Sequence, residues 1–482
     1  MSTFSGISTA LSSLIAQRTA LEVSGHNVAN ANTEGYTRQR AQLGAVATVQ
    51  VASMFSHSDG VGGGVRVAGI GRADDVFLDA KLRAQTSGAS YLAARADVYG
   101  TLETSLGEPS ETALAAQLST FWAGWHDVAN NPEVGSTRAV LLDDARQLTD
   151  SLHRAYGSIA AQWREARDTA VSLVDRVNAV AANIADLNGR IQSVTLAGGV
   201  AHELADQRDQ LVTELSGLVG ASVQRREDGQ VDVFVGGNAL AFGSTTHRLA
   251  VAGAVGFDQA TGAGGDPALG VTLTWADRPG RTVALDGGRV AGLLTALAAP
   301  DATGNGTGGI LTEAAARLDA VATSLATAVN ALHTTARTVA GATGTDFFTL
   351  PTTGSTAAGI AVALAGADDV AVAGAGLGAY DSSVGQQLAA IGLRNDGPDD
   401  AWSRTVVEIG NRAAAATSRG TVAEAARASA ESQRLANASV DTDEEAVSML
   451  ASQRAYEAAA RVLTAIDEML DTLINKTGVV GR

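Results

Sequence analysis

The sequence contains no cysteine. This absence excludes disulfide bonds, thiol catalysis and metal sites built on cysteine. It leaves the compartment open, although it suits a chain that has to stay unfolded before export. What the sequence does supply is length and apolar content. Its 482 residues predict about three domains, and a hydrophobic content of 45% is enough for sizeable cores.

The chain also lacks basic clusters and long apolar runs. Its longest basic cluster is Arg225-Arg226, and its formal net charge at pH 7 is −17. Because nucleic-acid binders present a basic face, this balance argues against DNA, RNA and anionic lipid as partners. No apolar run reaches the roughly 18 residues of a membrane-spanning helix, and the N-terminus lacks the features of a cleaved signal peptide. We therefore expect no membrane insertion and no signal cleavage.

The strongest pattern lies at the end of the chain, from Asp443 to Asn475. Apolar residues recur there at alternating spacings of three and four, which is typical of a coiled-coil helix. This C-terminal seam consists of Met449, Tyr456, Ala459, Leu463, Ile466, Leu470 and Leu473. Thr442 and Glu445 fit a capping box at the start of the helix. An apolar face this wide needs a partner, and usually more than one neighbour.

The first helix repeats this spacing and is a candidate partner. Its N-terminal seam consists of Ile7, Leu11, Leu14, Leu21 and Val28. Arg18 and Gly25 interrupt the apolar pattern. Residues 1–45 are slightly positive, whereas residues 441–475 hold eight acidic side chains and two arginines. We expect the two terminal helices to pack together as a coiled coil; the alternative is two ordinary amphipathic helices on one globular core.

In the middle of the chain, the spacing of apolar residues changes from helical to strand-like and back. Over residues 159–194 apolar residues keep helical spacing for about five heptads, so a helix of roughly 50 Å is predicted. Alternation of period two follows at Val231–Val235 and Val271–Trp275, with glycine-rich turns between them, and this is typical of strands. Helical spacing returns later and covers residues 401–437, with a break predicted near Gly420.

These patterns predict a mainly α fold with a β-rich insertion, in an elongated multidomain molecule with terminal coiled-coil helices and a long helical bundle. The predicted domains are a terminal α-helical coiled-coil domain (1–50 and 438–482), a helical bundle domain (51–220 and 291–437, with 340–400 as an irregular segment) and a β-rich outer insertion domain (221–290). Such nesting places both termini at one end of the molecule. Residues 243–268, mostly Gly, Ala and Thr, are expected to be replaceable by a short linker.

A glycine motif gives no evidence of a cofactor site. Gly304, Gly306 and Gly309 match G-x-G-x-x-G, but a dinucleotide site needs a strand before the turn. Residues 293–300 precede the motif and read as helix. We interpret the glycines as a flexible linker and expect no cofactor.

The acidic and histidine residues show no metal or catalytic spacing either. His202-Glu203 begins an H-E-x-x-H pattern, but Asp206 takes the last position, so the zinc pair is incomplete. We interpret Glu203, Asp206 and Asp209 as a solvated helix face. The sequence therefore predicts no metal site and no catalytic residues; an enzymatic outer insertion is the alternative.

The turn after the first helix resembles that of the bacterial flagellar axial proteins. Residues 29–39 are similar to the family signature "ANANTPGYSRQ". The matching residues in the turn are Asn30, Asn32, Thr33, Gly35, Tyr36 and Arg38. Glu34 stands where the family often has proline, which loosens the turn and keeps Gly35 in place. Residues 204–211, 233–237 and 453–463 are similar to further motifs of the hook-associated members. The hook protein, the alternative within the family, usually has Phe after the glycine.

This resemblance implies a structural subunit that joins the hook to the filament and is not an enzyme. It implies export through the flagellar type III apparatus to the extracellular flagellum, without a cleaved signal peptide. The terminal helices would then form an inner coiled-coil layer around the axial channel. The implied partners are copies of the chain in a helical ring, the hook protein, hook-associated protein 3 and a cytoplasmic export chaperone at the C-terminal region.

Overall fold

The computed structural model of the protein describes residues 3–47, 62–301, 303 and 307–476. Of the glycine motif, Gly304 and Gly306 lie outside the described residues. Helices make up most of the described chain, and the strands form small antiparallel sheets. The predicted mainly α fold with β structure in the middle of the chain is confirmed.

Twelve α-helices lie within the described residues, and two of them exceed forty residues. They are α1 (Thr3–Ala29), α2 (Val76–Leu106), α3 (Leu114–Asn130), α4 (Gly135–Leu196), α5 (His202–Val219), α6 (Phe257–Thr261), α7 (Gly288–Ala296), α8 (Ile310–His333), α9 (Thr356–Gly359), α10 (Ser383–Ala389), α11 (Pro398–Ala438) and α12 (Thr442–Asp471). At about 1.5 Å per residue, the 62 residues of α4 extend for about 93 Å.

The described strands pair only with antiparallel neighbours. They are β1 (Gln39–Ala45), β2 (Val65–Arg72), β3 (Ser222–Arg225), β4 (Val231–Val235), β5 (Asn238–Phe242), β6 (Thr245–Thr246), β7 (Leu249–Gly253), β8 (Val271–Trp275), β9 (Arg278–Thr282), β10 (Phe348–Thr349) and β11 (Ala361–Val362). β1 pairs with β2 as a ribbon, and β10 pairs with β11. A four-stranded sheet has the order β3-β4-β5-β6, and a three-stranded sheet has the order β7-β8-β9.

The helices at the two ends of the chain pack against each other as an antiparallel pair, which we call the terminal arm. Ile466, late in α12, lies beside Gly6, early in α1: a Cβ atom on Gly6 would stand 3.0 Å from the Ile466 Cδ1. Among the described helices and strands, α1 is the element against which α12 packs, and α1 in turn contacts β1 and β2. The β1–β2 ribbon therefore links the arm to the rest of the molecule, which we call the body.

Long helix pairs and a cluster of aromatic side chains hold the body together. α2 lies along α11, and α3 packs on α4. Phe121, Trp125 and Trp163 are fully buried in the larger hydrophobic core, where the Phe121 ring lies 5.9 Å from Phe347 and 5.7 Å from Phe348, centroid to centroid. Burying a large apolar side chain contributes about 1.5–3 kcal/mol, so this core stabilises the body without help from other molecules.

A second core joins the central β-sheets to α4 and α5. Val177 and Ile184 of α4 share it with Val233 and Leu273 of the sheets. The expectation that residues 243–268 could be exchanged for a short linker is wrong, because they contain β7, α6 and the fully buried Ala254, Ala260 and Phe257. Small residues there pack into the core; their composition had suggested an exposed linker.

Three local predictions need correction. The helix predicted from residue 159 begins at Gly135. No break occurs near Gly420, because α11 is continuous there. A Cβ atom on this glycine would make an ordinary contact with α2, at 4.0 Å from the Ala96 Cβ. The capping box at the start of α12 is absent; Asp441 caps the helix by accepting hydrogen bonds from the backbone N–H groups of Asp443 and Glu444.

Residues 340–400, predicted as irregular, are built from short elements. They contain β10, β11, α9, α10 and 3₁₀ turns at Ala367–Asp369 and Ala390–Leu393. His333, at the end of α8, binds this segment through a hydrogen bond: its Nε2 accepts from the backbone N–H of Ala371 at 3.0 Å. Elements of two to seven residues carry no periodic signal in the sequence.

Candidate assembly interface

The turn between α1 and β1 contains the six turn residues singled out in the sequence. The Thr33 N–H donates to the Asn30 carbonyl at 2.9 Å, and its hydroxyl lies 3.2 Å from Asn30 Oδ1. Gly35 has a φ of +77°, a conformation that glycine adopts without strain. A Cβ atom there would lie 1.9 Å from Nε2 of Gln210, whose side chain donates to the Glu34 carbonyl at 2.8 Å. The positive φ therefore favours glycine at position 35, and any larger residue would also displace the Gln210 side chain from its hydrogen bond.

Asn27 organises the other side of the turn, and sequence reasoning missed it. Its side chain is buried and bonds the Gln39 backbone twice: Nδ2 donates to the carbonyl at 2.8 Å, and Oδ1 accepts from the N–H at 3.0 Å. The same Oδ1 accepts from the Tyr36 hydroxyl at 2.8 Å. Burial, with the nearby charges of Asp206 and Glu203, raises the pKa of Tyr36 to about 12. Tyr36 therefore remains a hydrogen-bond donor. A polar residue at helical spacing beside Val23 was the signal that could have revealed Asn27.

Arg38 connects the two ends of the chain. Its Nη1 lies 2.8 Å from Glu444 Oε2 and its Nε lies 2.6 Å from Glu445 Oε1. The Arg38 side chain is 11% exposed and that of Glu445 3%. The Arg38 backbone N–H donates to the Ala438 carbonyl at 2.9 Å. Although burial opposes its charge, hydrogen bonds to Glu444 and Glu445 raise the pKa of Arg38. Glu445, assigned to a cap by its sequence context, is instead the buried partner of this arginine.

A second charge cluster lies under the turn and corrects another prediction. Asp206 and Asp209 of α5 were expected on a solvated helix face, yet both are buried. Arg72 of β2 lies between them, with Nη2 at 2.9 Å from Asp206 Oδ1 and 2.8 Å from Asp209 Oδ2. Asp206 Oδ2 also accepts from the Thr37 N–H at 3.2 Å. Glu203, the third residue of that predicted face, accepts from the Gln39 side chain at 3.2 Å.

The two aspartates of this cluster respond differently to burial. Burial raises the pKa of Asp206 in spite of the Arg72 charge. For Asp209 burial acts in the same direction, but the charges of Arg72 and Arg208 outweigh it and lower the pKa. Asp209 is therefore the carboxylate that is firmly ionised, and it helps to hold Arg72 of the ribbon against α5 of the body.

A third cluster fixes the end of α11, from which the chain enters the arm. Asp79 of α2 accepts from Arg434 Nε at 3.0 Å and lies 3.4 Å from Arg225 Nη2. The Asn437 side chain donates to the Ala73 carbonyl at 3.0 Å. Together with the Arg38 and Arg72 contacts, these bonds form what we call the clasp. Buried charges are tolerated only when they are paired, so the clasp joins the arm, the ribbon and the body where they meet.

The structure places the predicted seam residues at different depths within the arm. Ala459 and Ile466 are buried. The half-buried members are Ile7, Leu14, Leu21, Met449, Leu463 and Leu470. The exposed members are Leu11, Val28, Tyr456 and Leu473. Among the described residues of α1, the buried apolar side chains are the small Ala10, Ala16 and Val23. The two helices therefore meet along part of the predicted seams and leave the rest uncovered.

The uncovered part of the arm is strongly apolar. Its large exposed side chains, which we call the arm face, are Leu11, Ile15, Val28, Val447, Leu450, Tyr456, Val462, Met469, Leu473 and Ile474. Val462, Met469 and Leu473 expose half or more of their surface, at 51%, 53% and 55%. Isolated exposed apolar residues are ordinary, but this many large apolar side chains exposed on one pair of helices favour an interaction site.

Within the described residues, no group of three or more His, Asp or Glu side chains is arranged to hold a metal ion. The helices of this described part include none long and apolar enough to cross a membrane. What the arm offers chemically is exposed apolar side chains beside acidic ones, joined to the body by ion pairs. Such an arrangement can bind other helices.

Comparison with known proteins yields three family matches along the chain. Residues 99–348 match the flagellar hook-associated protein FlgK helical domain. Residues 7–37 match the flagella basal body rod protein family, and residues 431–476 match the C-terminal family of the flagellar basal body rod FlgEFG proteins. The last two matches coincide with the helices of the terminal arm and the ends of their neighbours.

Individual relatives agree with these families. Flagellar hook-associated protein 1 of Bacillus subtilis is 29% identical over 519 aligned positions, which cover all of both chains. The protein of the same name from Escherichia coli is 31% identical over 51% of this chain and 44% of its own length. The solved structure of the flagellar hook junction protein FlgK from Burkholderia pseudomallei has the same fold, with a TM-score of 0.62 and 17% identity over 75% of this chain and all of that one.

Proposed function

The chain belongs to the flagellar hook-associated protein FlgK family, and from this premise we propose how its parts serve the junction between hook and filament. The protein is a structural component of the bacterial flagellum at that junction. Family membership also favours the absence of catalysis, because the family is structural and the clasp and arm face are features of assembly rather than of a reaction.

We infer that the terminal arm is the element by which copies of the chain assemble. The observation that carries this proposal is the arm face, whose large apolar side chains are exposed although the arm already packs within itself. Removing apolar surface from water contributes about 25 cal/mol per Å², so neighbouring arms that cover this face stabilise a ring. The seams at Ile7–Val28 and Met449–Leu473 then have two uses, one within the chain and one between copies.

The clasp supports this role by setting the direction of the arm. Arg38 joins the first and last parts of the chain, and Arg72 joins the ribbon to α5. A subunit in a ring presents its interaction surfaces at a fixed angle, since heterologous contacts close only at one rotation. We propose that the turn residues Asn30, Asn32, Thr33, Gly35, Tyr36 and Arg38 serve this geometry.

The same reasoning assigns a different structural role to each segment of the chain. We propose that residues 1–50 and 438–482 form the inner coiled-coil domain around the axial channel. Residues 51–220 and 291–437 form the helical bundle, and residues 221–290 form the outer insertion. The buried core that joins α4 to the central sheets supports a rigid connection between the last two.

We further propose the partners and route that this position requires. Copies of the chain form a helical ring with the hook protein on one side and hook-associated protein 3 on the other. The chain reaches this extracellular site through the flagellar type III apparatus without signal cleavage, and a cytoplasmic chaperone covers its C-terminal region before export. The apolar arm face supports the need for such a chaperone, because it would otherwise be exposed in the cell.

The experiment is a double substitution on the arm face, Val462→Asp with Met469→Asp. These side chains are half exposed and seven residues apart on one side of α12, so the free chain should fold normally. We expect the variant in the culture medium, together with unassembled filament subunits, and cells without filaments. Secreted variant with normal filaments would contradict the proposal.

A matched control separates this surface from exposed apolar residues in general. Val255→Asp with Leu269→Asp changes two side chains of the central region that expose 68% and 53% of their surface. We expect normal filaments in this strain. The amount of each variant in the medium distinguishes failed assembly from failed export.

A further inference from the structure

A groove between α2 and α11 is not used by the arm or the clasp. It has a volume of about 640 Å³. Leu92 and Tyr99 contribute to it from α2, and Val407 and Ala416 from α11. Val407 is 59% exposed, so the groove presents apolar surface to its surroundings. Grooves between two helices accommodate a third helix through such apolar contacts.

The rim of this groove is positive in a chain that is otherwise strongly acidic. Arg95, Arg404, Arg412 and Arg419 line it, against the single carboxylate of Glu408. Arg404 pairs with Asp400, and Arg412 pairs with Glu408 on the same helix. Within the described part of the chain, neither Arg95 nor Arg419 forms an ion pair with a carboxylate; Arg95 lies over the Tyr91 ring at 5.6 Å. Two cationic side chains thus remain available beside apolar surface.

An acidic surface lies on α3 and α4 of the same chain. Asp144 of α4 lies against α3, where a Cβ atom on Gly124 would stand 3.3 Å from its Oδ2, one helical turn from Asp127. Asp143 and the 56% exposed Val140 are its neighbours on α4. Burial, followed by the charges of Asp143 and Asp127, raises the pKa of Asp144. Arg146 pairs with Asp143 at 2.8 Å, which leaves this acidic patch with an excess of negative charge. Like charges held this close repel each other, so a cation brought to the patch is stabilising.

We propose that the groove between α2 and α11 binds the acidic patch of a second copy of this chain. Val140 of one copy then meets the apolar surface near Val407 of the next, while Arg95 and Arg419 face Asp127 and Asp143. The two surfaces use different helices, so the contact is heterologous and each copy both offers and receives it. This inference rests on the proposed assembly into a ring and adds a lateral contact between bodies to the contact between arms.

Because the chain has no cysteine, paired cysteines test this contact directly. Cells carry Val140→Cys with Val407→Cys, and isolated hook–filament junctions are treated with a short bismaleimide crosslinker. We expect a ladder of covalent oligomers from the double variant and none from either single variant. Val255→Cys with Val407→Cys is the control and should give no ladder.

Two results would overturn the lateral contact. Absence of a ladder in cells that bear normal filaments would remove it and leave the arm-based function standing. Crosslinked dimers from one of the single-cysteine variants would instead indicate that the same position of two copies meets itself. Filament counts on the same cells report the arm-based function separately.

Charge exchange provides a second test. Arg95→Glu with Arg419→Glu, or Asp127→Lys with Asp143→Lys, should each reduce crosslinking between the two cysteines at least tenfold. All four changes together should restore it, because attraction returns with the signs reversed. Arg278→Glu with Arg281→Glu, on the exposed β9, should have no effect. Failure of the fourfold variant to recover, with the protein folded, would contradict the charge pairing.

Discussion

The body and the terminal arm bury their apolar residues to very different extents. In the body, Trp163, Val177 and Ile184 of α4 have no exposed surface. In the arm, the two apolar residues of α12 that count as buried are Ala459 and Ile466, each with 8% exposed, and Val462 exposes half of its side chain. Both regions are long helices with clear apolar spacing. The difference shows that the body completes its core within one chain, whereas the arm leaves large apolar side chains uncovered; we propose that neighbouring subunits cover them.

The largest expected effect is in the body. Trp163→Ala removes a fully buried side chain and should lower the free energy of unfolding by about 3–5 kcal/mol. Leu463→Ala in the arm removes a half-buried side chain and should cost only about 1–2 kcal/mol in the free chain. Urea unfolding of both variants measures the two changes in the free energy of unfolding. Equal decreases in the two variants would contradict the distinction between body and arm.

A second prediction concerns the buried charge that joins the ribbon to the body. Asp209→Asn leaves Arg72 with one carboxylate, and we expect a loss of roughly 2–4 kcal/mol at pH 7. Because the pKa of Asp209 is lowered on folding, its contribution is complete above the unfolded value of about 3.9 and disappears as the pH falls through the folded value. The difference in the free energy of unfolding between wild type and variant should therefore shrink below pH 4. A difference that is the same at pH 3 and pH 7 would contradict the charge assignment.

A smaller effect is expected at the contact between the chain ends. Glu445→Ala removes the buried partner of Arg38 and should cost roughly 1–3 kcal/mol, mainly by loosening the arm. Glu444→Ala, whose side chain is 62% exposed, is the matched control and should cost less than about 1 kcal/mol. Hydrogen exchange of α12 amides reports the difference. Faster exchange throughout the body would show that Glu445 supports more than the arm.

The smallest effect on the free chain is expected on the arm face. Val462→Asp with Met469→Asp places charges where solvent already reaches, so the free energy of unfolding should change by less than about 1 kcal/mol. Thermal unfolding of the purified chain measures this. A large loss would mean that these side chains already stabilise the free chain.

The elements that could be predicted from sequence are those with long regular periods. Helical spacing identified α12 and most of α4, and alternation identified β4 and β8. The first residues of α4 were missed although Leu141, Leu148 and Leu152 continue its spacing. Gly420 was interpreted as a break because glycine lowers helix propensity. The helix continues through Gly420 because α11 packs along α2 over a long stretch, and this tertiary contact has no local signal in the sequence.

The clasp could not have been predicted from spacing. Asp206 and Asp209 have the spacing of an exposed helix face, and their partner Arg72 is more than a hundred residues away. Glu445 fits a capping box by its distance from Thr442, but Arg38 from the other end of the chain binds it. Burial of charge depends on which distant segments meet, and that information is absent from local patterns. The six turn residues were singled out through their resemblance to a family signature.

The most direct test of the difference between body and arm is the accessibility of a single cysteine at position 462. Val462→Cys is labelled with a maleimide in the free secreted chain and in isolated hook–filament junctions, with Val255→Cys as the control. We expect rapid labelling of both free chains, continued labelling at position 255 in the junction, and protection of position 462 there by at least tenfold. Equal labelling of position 462 in the free and assembled states would contradict the proposal that neighbouring subunits cover the arm.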